Sequence, residues 1–175
     1  DHWHVLPAVA AARAGKDVFC EKPLTLTIHE GRVLSDTMRH YGRIFQTASE
    51  NRSKGNFLRA CELVRNGRIG KLHTIKVGSP PSIPSKNFPS TPVPDWIDYE
   101  MWLGPAPWAS FTEKRCFGPH SWYFISDYCV GYIAGWGVHH LDSGQQGHGA
   151  DDMGPREVRS KAILPTEGLY DAPIH

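Results

Sequence analysis

Apolar and polar residues in the first part of the chain follow helical and strand-like spacing in turn. From Val5 to Ala14 the apolar residues recur at helical intervals, and Gly15 stands where a helix would end. The short apolar run Val18–Cys20 follows almost at once and predicts a strand that is buried on both faces. A helix followed directly by a buried strand is typical of parallel α/β proteins.

The pattern then predicts a second helix and a second strand. Thr27 and Glu30 have the spacing of a capping box. After them, apolar residues keep helical spacing as far as Gly42. These apolar residues are Val33, Leu34, Met38 and Tyr41. Residues 43–48 predict the next strand. Strand, helix and strand in about thirty residues make one right-handed crossover unit, which indicates the C-terminal part of a parallel, doubly wound sheet.

The pattern of residues changes near Ser49, and we place a domain boundary there. Residues 57–64 carry one apolar face of a third helix that ends at Gly67, and residues 72–77 alternate like a strand. Six prolines between Gly78 and Pro94 exclude regular structure, and a partly packed aromatic loop is predicted around Gly104. We therefore predict two units, residues 1–48 and residues 49–175.

Composition and charge narrow the choice of partner. The chain is 40% hydrophobic and 21% charged, as globular proteins are, and its net charge is only +1. Neither nucleic acid nor a membrane is an expected partner, because there is no basic excess and no apolar run of ~20 residues. A small molecule is expected instead. Since the chain starts at Asp1 and ends without a helix stop, we expect an internal fragment whose compartment is unknown.

Glu21, Lys22 and Pro23 directly follow the first predicted strand. Ligands of open α/β sheets bind beyond the carboxyl ends of the strands, so Lys22 could exchange a proton with a substrate hydroxyl. Pro23 would fix the direction of the chain, with a cis bond as one option. A solvated lysine before a turn is the simpler alternative, and spacing alone favours it.

Histidine-rich segments raise the question of a metal site. His2 with His4, and His139 with His140 and Asp142, supply suitable donor atoms. Neighbouring residues on a helix diverge, however, so neither group forms a ready chelate. We predict no metal.

Several segments resemble the Gfo/Idh/MocA oxidoreductases. Residues 15–24 resemble the AGKxVxxEKP segment of that family and follow its DHWH-type helix start at residues 1–4. Residues 65–72 look like the passage into its substrate domain, and residues 102–108 resemble the WLGPAPW signature of one bacterial subgroup. Residues 131–142 are similar to its glycine-rich stretch ending in GxHxxD. The resemblance covers essentially the whole chain.

This resemblance implies an α/β unit followed by an α+β unit: the C-terminal part of a Rossmann-type sheet, then the first part of a mostly antiparallel-sheet substrate and oligomerisation domain. It implies NAD or NADP as cofactor, hydride transfer, a carbohydrate or cyclitol-like substrate, and a homo-oligomer. By the same resemblance Lys22 and His139 are catalytic, and the cofactor contacts are His4, Glu21, Lys22 and Pro23. The expected substrate contacts are Trp102, His140 and Asp142, with a structural or orienting role as the alternative for Asp142. Arg52 follows a predicted strand and is a further candidate, with a solvated loop as its alternative.

Two features depart from the family pattern. The family places its GxGxxG phosphate loop upstream of Asp1, so we expect this chain alone to bind the cofactor weakly and to be inactive. Many relatives carry an aspartate at the position of Gly135, so His139 keeps its place without that partner. Three alternatives stay open: an NAD-dependent glycoside hydrolase of the same fold, a noncatalytic binding or assembly module, and purely structural roles for His139 and His140.

Overall fold

Two short parallel strands organise the first part of the protein in the computed structural model, which describes residues 1–174. Helix α1 (Val5–Arg13) leads into strand β1 (Val18–Cys20), and helix α2 (Ile28–His40) crosses over to strand β2 (Phe45–Thr47). The strands run parallel, with Val18 opposite Phe45 and Cys20 opposite Thr47. The predicted strand–helix–strand unit is therefore confirmed.

The capping residues and the glycines that the sequence predicts are found at the ends of the first two helices. The Thr27 hydroxyl accepts a hydrogen bond from the Glu30 amide at 3.2 Å, and the Glu30 carboxylate accepts one from the Thr27 amide at 2.9 Å. This is the predicted capping box, which satisfies two amides that a helix start leaves free. Gly15 and Gly42 follow the two helices with φ angles of 75° and 60°, a region that favours glycine.

The first core lies between the two helices and covers one face of the strand pair. Its buried side chains are Val5, Ala8, Ala12, Leu34 and Met38, and Val18 packs against them. Phe19 points to the other face and is 67% exposed. The prediction that β1 is buried on both faces is wrong for residues 1–174, because the helices that pack on it cover only the face with Val18 and Cys20.

The second part begins with a helix pair. A 3₁₀ turn (Glu50–Ser53) follows β2, and helix α3 (Gly55–Arg65) packs against helix α7 (Gly137–His148). The predicted third helix is confirmed. Residues 72–77 form no strand, because no described segment pairs with their backbone groups. Within residues 49–174 the expected antiparallel sheet is likewise absent, and His175, the end of the predicted second unit, lies outside the described residues.

A mostly aromatic core fills the remainder of this part. Residues 78–94 have no regular structure, as predicted, but the aromatic stretch after them is more than a loop. Asp98 caps a helix there, α4 (Tyr99–Leu103), by accepting a hydrogen bond from the Met101 amide at 2.9 Å. Helix α5 (Glu113–Cys116), a 3₁₀ turn (Trp122–Phe124) and helix α6 (Tyr132–Gly135) follow. The buried aromatic side chains are Tyr99, Phe111, Phe124, Tyr128 and Tyr170.

Contacts of the N-terminal residues with α4 join the two parts. His2 Nε2 donates to the Trp102 carbonyl at 3.1 Å, and Trp3 Nε1 donates to the Met101 carbonyl at 3.0 Å. The Trp3 indole lies so close to Gly104 that a Cβ there would overlap the ring. These contacts bring the carboxyl ends of the strands to face α6 and α7. None of the helices described in residues 1–174 is long and apolar enough to cross a membrane.

Candidate active site

A cavity of about 510 Å³ opens where the carboxyl ends of both strands face the junction of α6 and α7. Open α/β sheets place their ligands at this end, because the loops diverge there. The segment after β1 contributes Glu21 and Lys22, and the segment after β2 contributes Ala48, Glu50, Asn51 and Lys54. The second part of the chain contributes Tyr123, Gly135, Trp136, His139 and His140, and α3 contributes Phe57.

Lys22 reaches across the cavity from the end of β1. Its Nζ donates a hydrogen bond of 2.7 Å to the carbonyl of Gly135, and the bond between Lys22 and Pro23 is cis. His4 supports this loop, because its Nδ1 donates to the Pro23 carbonyl at 2.7 Å. Burial lowers the pKa of His4, which favours the neutral ring that makes this bond. Lys22 and His139 line the same cavity, as the family motif implies.

His139 lies in the first turn of α7 and presents its ring to the cavity. Burial lowers its pKa, and the nearby positive charge of Lys22 lowers it further. The ring is therefore a neutral base at neutral pH. Asn51 holds the backbone at this point: it is only 5% exposed, and its Nδ2 donates to the His139 carbonyl at 3.4 Å.

An acid and a base that the sequence did not single out also line the cavity. Glu50 and Lys54 form an ion pair at 3.1 Å, and this hydrogen bond lowers the pKa of Glu50. The sequence could have indicated Glu50 and Lys54 by their position, because they follow β2 just as Lys22 follows β1. Trp136 is 49% exposed and offers a flat apolar surface beside these charges.

Tyr123 is the other residue that sequence reasoning missed. A Cβ on Gly135 would overlap the phenol oxygen and the adjoining ring edge, so the Tyr123 side chain lies where a residue-135 side chain would begin. Burial, followed by the nearby Cys129 and Tyr132, raises the pKa of Tyr123 to about 12, and the phenol is protonated at neutral pH. No motif in the sequence relates Tyr123 to Gly135.

Three of the four predicted substrate contacts lie outside the cavity lining. Arg52 binds both carboxylate oxygens of Asp142, at 2.8 and 2.7 Å, and also contacts Asp151 at 2.9 Å. This network ties the turn after β2 to α7 and satisfies the charges of Arg52 and Asp142 within the protein. Trp102 packs edge-on against Tyr128 in the aromatic core. Of the predicted substrate contacts only His140 lines the cavity.

The residues predicted to contact a nicotinamide cofactor cluster at the end of β1. Glu21 and Lys22 present a carboxylate and an ammonium there, and His4 holds the loop through Pro23. This combination of donors and acceptors fits the polar nicotinamide end of the cofactor. The chain has no GxGxxG segment, which is the feature that cradles the pyrophosphate.

Other candidate chemistry is sparse in the part of the chain that is described. Residues 1–174 contain no group of three His, Cys, Asp or Glu side chains placed to hold a metal. The four cysteines are buried thiols. A second cavity of about 460 Å³ lies between α3, residues 72–78 and α7, and its lining is mostly apolar without a paired acid and base.

Comparison with protein families identifies both parts of the chain. Residues 1–49 match the model described as "Oxidoreductase family, NAD-binding Rossmann fold". Residues 83–167 match the model described as "Oxidoreductase family, C-terminal alpha/beta domain". The two matches come in the order in which the fold presents its two parts.

Comparison with individual proteins agrees. The chain is 39% identical over 72 residues to myo-inositol 2-dehydrogenase of Thermotoga maritima, covering 41% of this chain and 21% of that protein. It is 36% identical over 110 residues to inositol 2-dehydrogenase 2 of Saccharopolyspora erythraea, covering 59% of this chain and 32% of the relative. The chain thus spans a third or less of these relatives.

Solved structures show the same fold. An oxidoreductase domain protein from Kribbella flavida matches 85% of this chain and 33% of its own, with a TM-score of 0.52 and 23% identity. An aldose-aldose oxidoreductase from Caulobacter crescentus matches 85% of this chain and 35% of its own, with a TM-score of 0.53 and 19% identity. At these identities the likeness concerns the fold alone.

Proposed function

Since this chain belongs to the Gfo/Idh/MocA oxidoreductase family, we propose that its cavity is the reaction site of a nicotinamide-dependent oxidoreductase of ring-shaped polyols. The observation that carries the proposal is the meeting of Lys22 and His139 in one cavity. One residue follows a parallel strand and the other begins a helix 117 positions later, so folding alone brings an ammonium and a neutral imidazole together.

The two side chains divide the acid-base work. The alcohol oxygen of the substrate lies near Lys22, whose positive charge stabilises negative charge that develops on this oxygen. The neutral ring of His139 accepts the hydroxyl proton, which its lowered pKa permits at neutral pH. In the reverse direction the protonated ring returns the proton to the carbonyl oxygen. A bound nicotinamide cofactor supplies the hydride acceptor or donor.

Residues at the end of β1 hold the nicotinamide end of the cofactor in this proposal. His4 fixes the Pro23 carbonyl, and Glu21 and Lys22 offer polar groups next to it. The choice between NAD and NADP depends on the residue that contacts the adenosine ribose. The domain boundary after residue 48 and a homo-oligomeric assembly belong to the same proposal.

The substrate class follows from the relatives and from the lining of the cavity. The curated relatives include myo-inositol 2-dehydrogenase, levoglucosan dehydrogenase and 1,5-anhydro-D-fructose reductase, whose named substrates are all hydroxylated rings. The cavity offers the flat face of Trp136 together with charged groups from Lys22, Glu50 and Lys54. An apolar face with a few polar groups suits a ring that carries hydroxyls. We therefore assign the substrate to carbohydrates or cyclitols.

Oxidation of defined polyols by the complete protein tests this function. Myo-inositol and levoglucosan are offered with NAD or NADP, and reduced cofactor is followed by its absorbance. The variant Lys22→Met keeps much of the side-chain length but loses the charge. We expect its single-turnover rate to fall by ~10²-fold or more, with cofactor affinity changed far less.

Lys16→Met is the matched control, because Lys16 precedes β1 at the opposite end of the strand. It should leave the rate unchanged. Equal rates in the wild type and the Lys22→Met protein would remove Lys22 from the mechanism. Glycoside cleavage without net cofactor reduction would favour the hydrolase instead, and a lack of both cofactor binding and turnover would favour the noncatalytic module.

A further inference from the structure

Tyr123 is a polar side chain whose place in the cavity the motifs do not explain. It lies in a 3₁₀ turn, and its ring is fixed by edge contacts with Trp122, Phe124 and Tyr132. Its carbonyl accepts a hydrogen bond of 3.0 Å from the Gly131 amide, which anchors the turn to the start of α6. The phenol is therefore held rigidly where it enters the cavity.

The Tyr123 phenol oxygen makes no hydrogen bond within residues 1–174, and the Tyr123 side chain is half-buried. The oxygen is open to solvent, since it is not one of the buried polar atoms that lack a partner. A hydroxyl that makes no bond within the protein can donate one to a ligand. Tyr123 lines the cavity that Lys22 and His139 also line.

The side chains of Tyr123 and Lys22 both contact Gly135. The Lys22 ammonium donates to the Gly135 carbonyl at 2.7 Å, and the Tyr123 phenol fills the space next to the Cα of the same residue. The missing side chain at residue 135 is thus what admits the phenol. Two polar groups from distant parts of the chain converge on one glycine at the cavity wall.

We propose that Tyr123 is a further catalytic residue, whose hydroxyl donates a hydrogen bond to the substrate oxygen beside Lys22, and that Gly135 is the position that makes room for it. This inference rests on the proposed function and deepens it. Because the phenol stays protonated, it supplies an uncharged donor next to the charged one. A rigid donor aimed at an oxygen that gains charge stabilises the transition state more than the ground state.

Tyr123→Phe in the complete protein removes only the hydroxyl. With myo-inositol and levoglucosan as probes, we expect kcat to fall by ~10²-fold while KM changes much less. Tyr132→Phe is the matched control, since Tyr132 packs on Tyr123 but its own hydroxyl lies 3.5 Å from His120 and outside the cavity. The control should keep its kcat.

A second variant displaces the same hydroxyl without changing Tyr123 itself. Gly135→Ala adds a Cβ that overlaps the phenol and must displace it from the cavity, so its loss of kcat should resemble that of Tyr123→Phe. Since both changes remove one interaction, the double variant should be no slower than the slower single variant. If the two losses of kcat multiplied in the double variant, Gly135 and Tyr123 would act independently and the proposed link between them would be wrong.

A readout without turnover completes the test. In the complete protein with tyrosines labelled at the ring carbon that carries the hydroxyl, myo-inositol or levoglucosan added with reduced cofactor should shift the Tyr123 resonance, which is assigned by its absence from Tyr123→Phe. Full kcat in Tyr123→Phe, or no shift with either probe, overturns the proposal. If Lys22→Met is slow while Tyr123→Phe is normal, the proposed function stands and only this inference fails; if neither change matters, both fail.

Discussion

The imidazole of His139 and the ammonium of Lys22 face one cavity, and the charge of the lysine opposes protonation of the ring. Burial and this charge both lower the pKa of His139 from its usual value of 6.5. Removing the charge in Lys22→Met should therefore raise the pKa, and removing the distant charge in Lys16→Met should not. Proton NMR titration of the His139 ring checks this. Identical midpoints in the wild type and the Lys22→Met protein would contradict the shared electrostatics.

The lowered pKa also sets the direction of the pH dependence. The unfolded chain binds a proton at His139 below about 6.5, whereas the folded protein binds it only at lower pH. The contribution of His139 to the free energy of unfolding is thus constant above pH 6.5 and declines as the pH falls towards the lowered pKa. If His139 is the base, kcat/KM for polyol oxidation should fall only below pH 6.5, measured as a pH profile. A loss that begins well above pH 6.5 would assign the titration to another group.

Among the single elements, helix α2 depends on its capping box. Thr27→Ala removes the hydroxyl that accepts from the Glu30 amide, so the free energy of unfolding should fall by about 1 kcal/mol. Thr37→Ala is the control, because the Thr37 hydroxyl only donates to the Val33 carbonyl inside the same helix, and alanine favours helix. Urea unfolding measures both. Equal losses in the two variants would show that the cap is not what stabilises the start of this helix.

The ionic network of Arg52 joins two elements, the turn after β2 and helix α7. Arg52→Met leaves Asp142 without its two charge-assisted hydrogen bonds, so the free energy of unfolding should fall by about 1–3 kcal/mol. Arg159→Met breaks an exposed pair with Glu157 and should change stability little. KM for polyols should stay near the wild-type value in Arg52→Met. A large rise in KM without a loss of stability would restore Arg52 as a substrate contact.

At the scale of the whole molecule, the proposed cofactor contacts concern the nicotinamide end only. Residues 1–175 contain no GxGxxG segment, so backbone amides of the kind that hold the pyrophosphate are missing from the sequence. Calorimetric titration of this isolated chain with NAD should give no saturable binding in the micromolar range. The complete protein, titrated in the same buffer, is the reference. Saturable micromolar binding by residues 1–175 would mean that the cofactor is held differently from the family pattern.

The sequence alone determined the local features of the fold. The cap formed by Thr27 and Glu30, the helix ends at Gly15 and Gly42, and the step from β1 through α2 to β2 depend on interactions between residues close in the chain. Spacing encodes such interactions directly, because the hydrogen bonds of a helix or a cap join residues three or four positions apart. The position of Lys22 at the end of β1 was predictable for a related reason, since a strand end is a local feature, but only the resemblance to the family indicated a role for its side chain.

Only the tertiary structure decided which polar groups meet. The residues from Leu72 to Val77 alternate as a strand does, yet a strand also needs a partner backbone, and none of the described residues supplies one. The hydrogen bond from Lys22 to Gly135 joins residues that are 113 positions apart in the chain, and Arg52 and Asp142 are 90 positions apart. The position of the Tyr123 phenol beside Gly135 depends on how the aromatic core sets the 3₁₀ turn against α6. Such contacts are fixed by packing between distant segments. Periodicity along the chain shows which face of an element is buried, but not which distant segment that face meets.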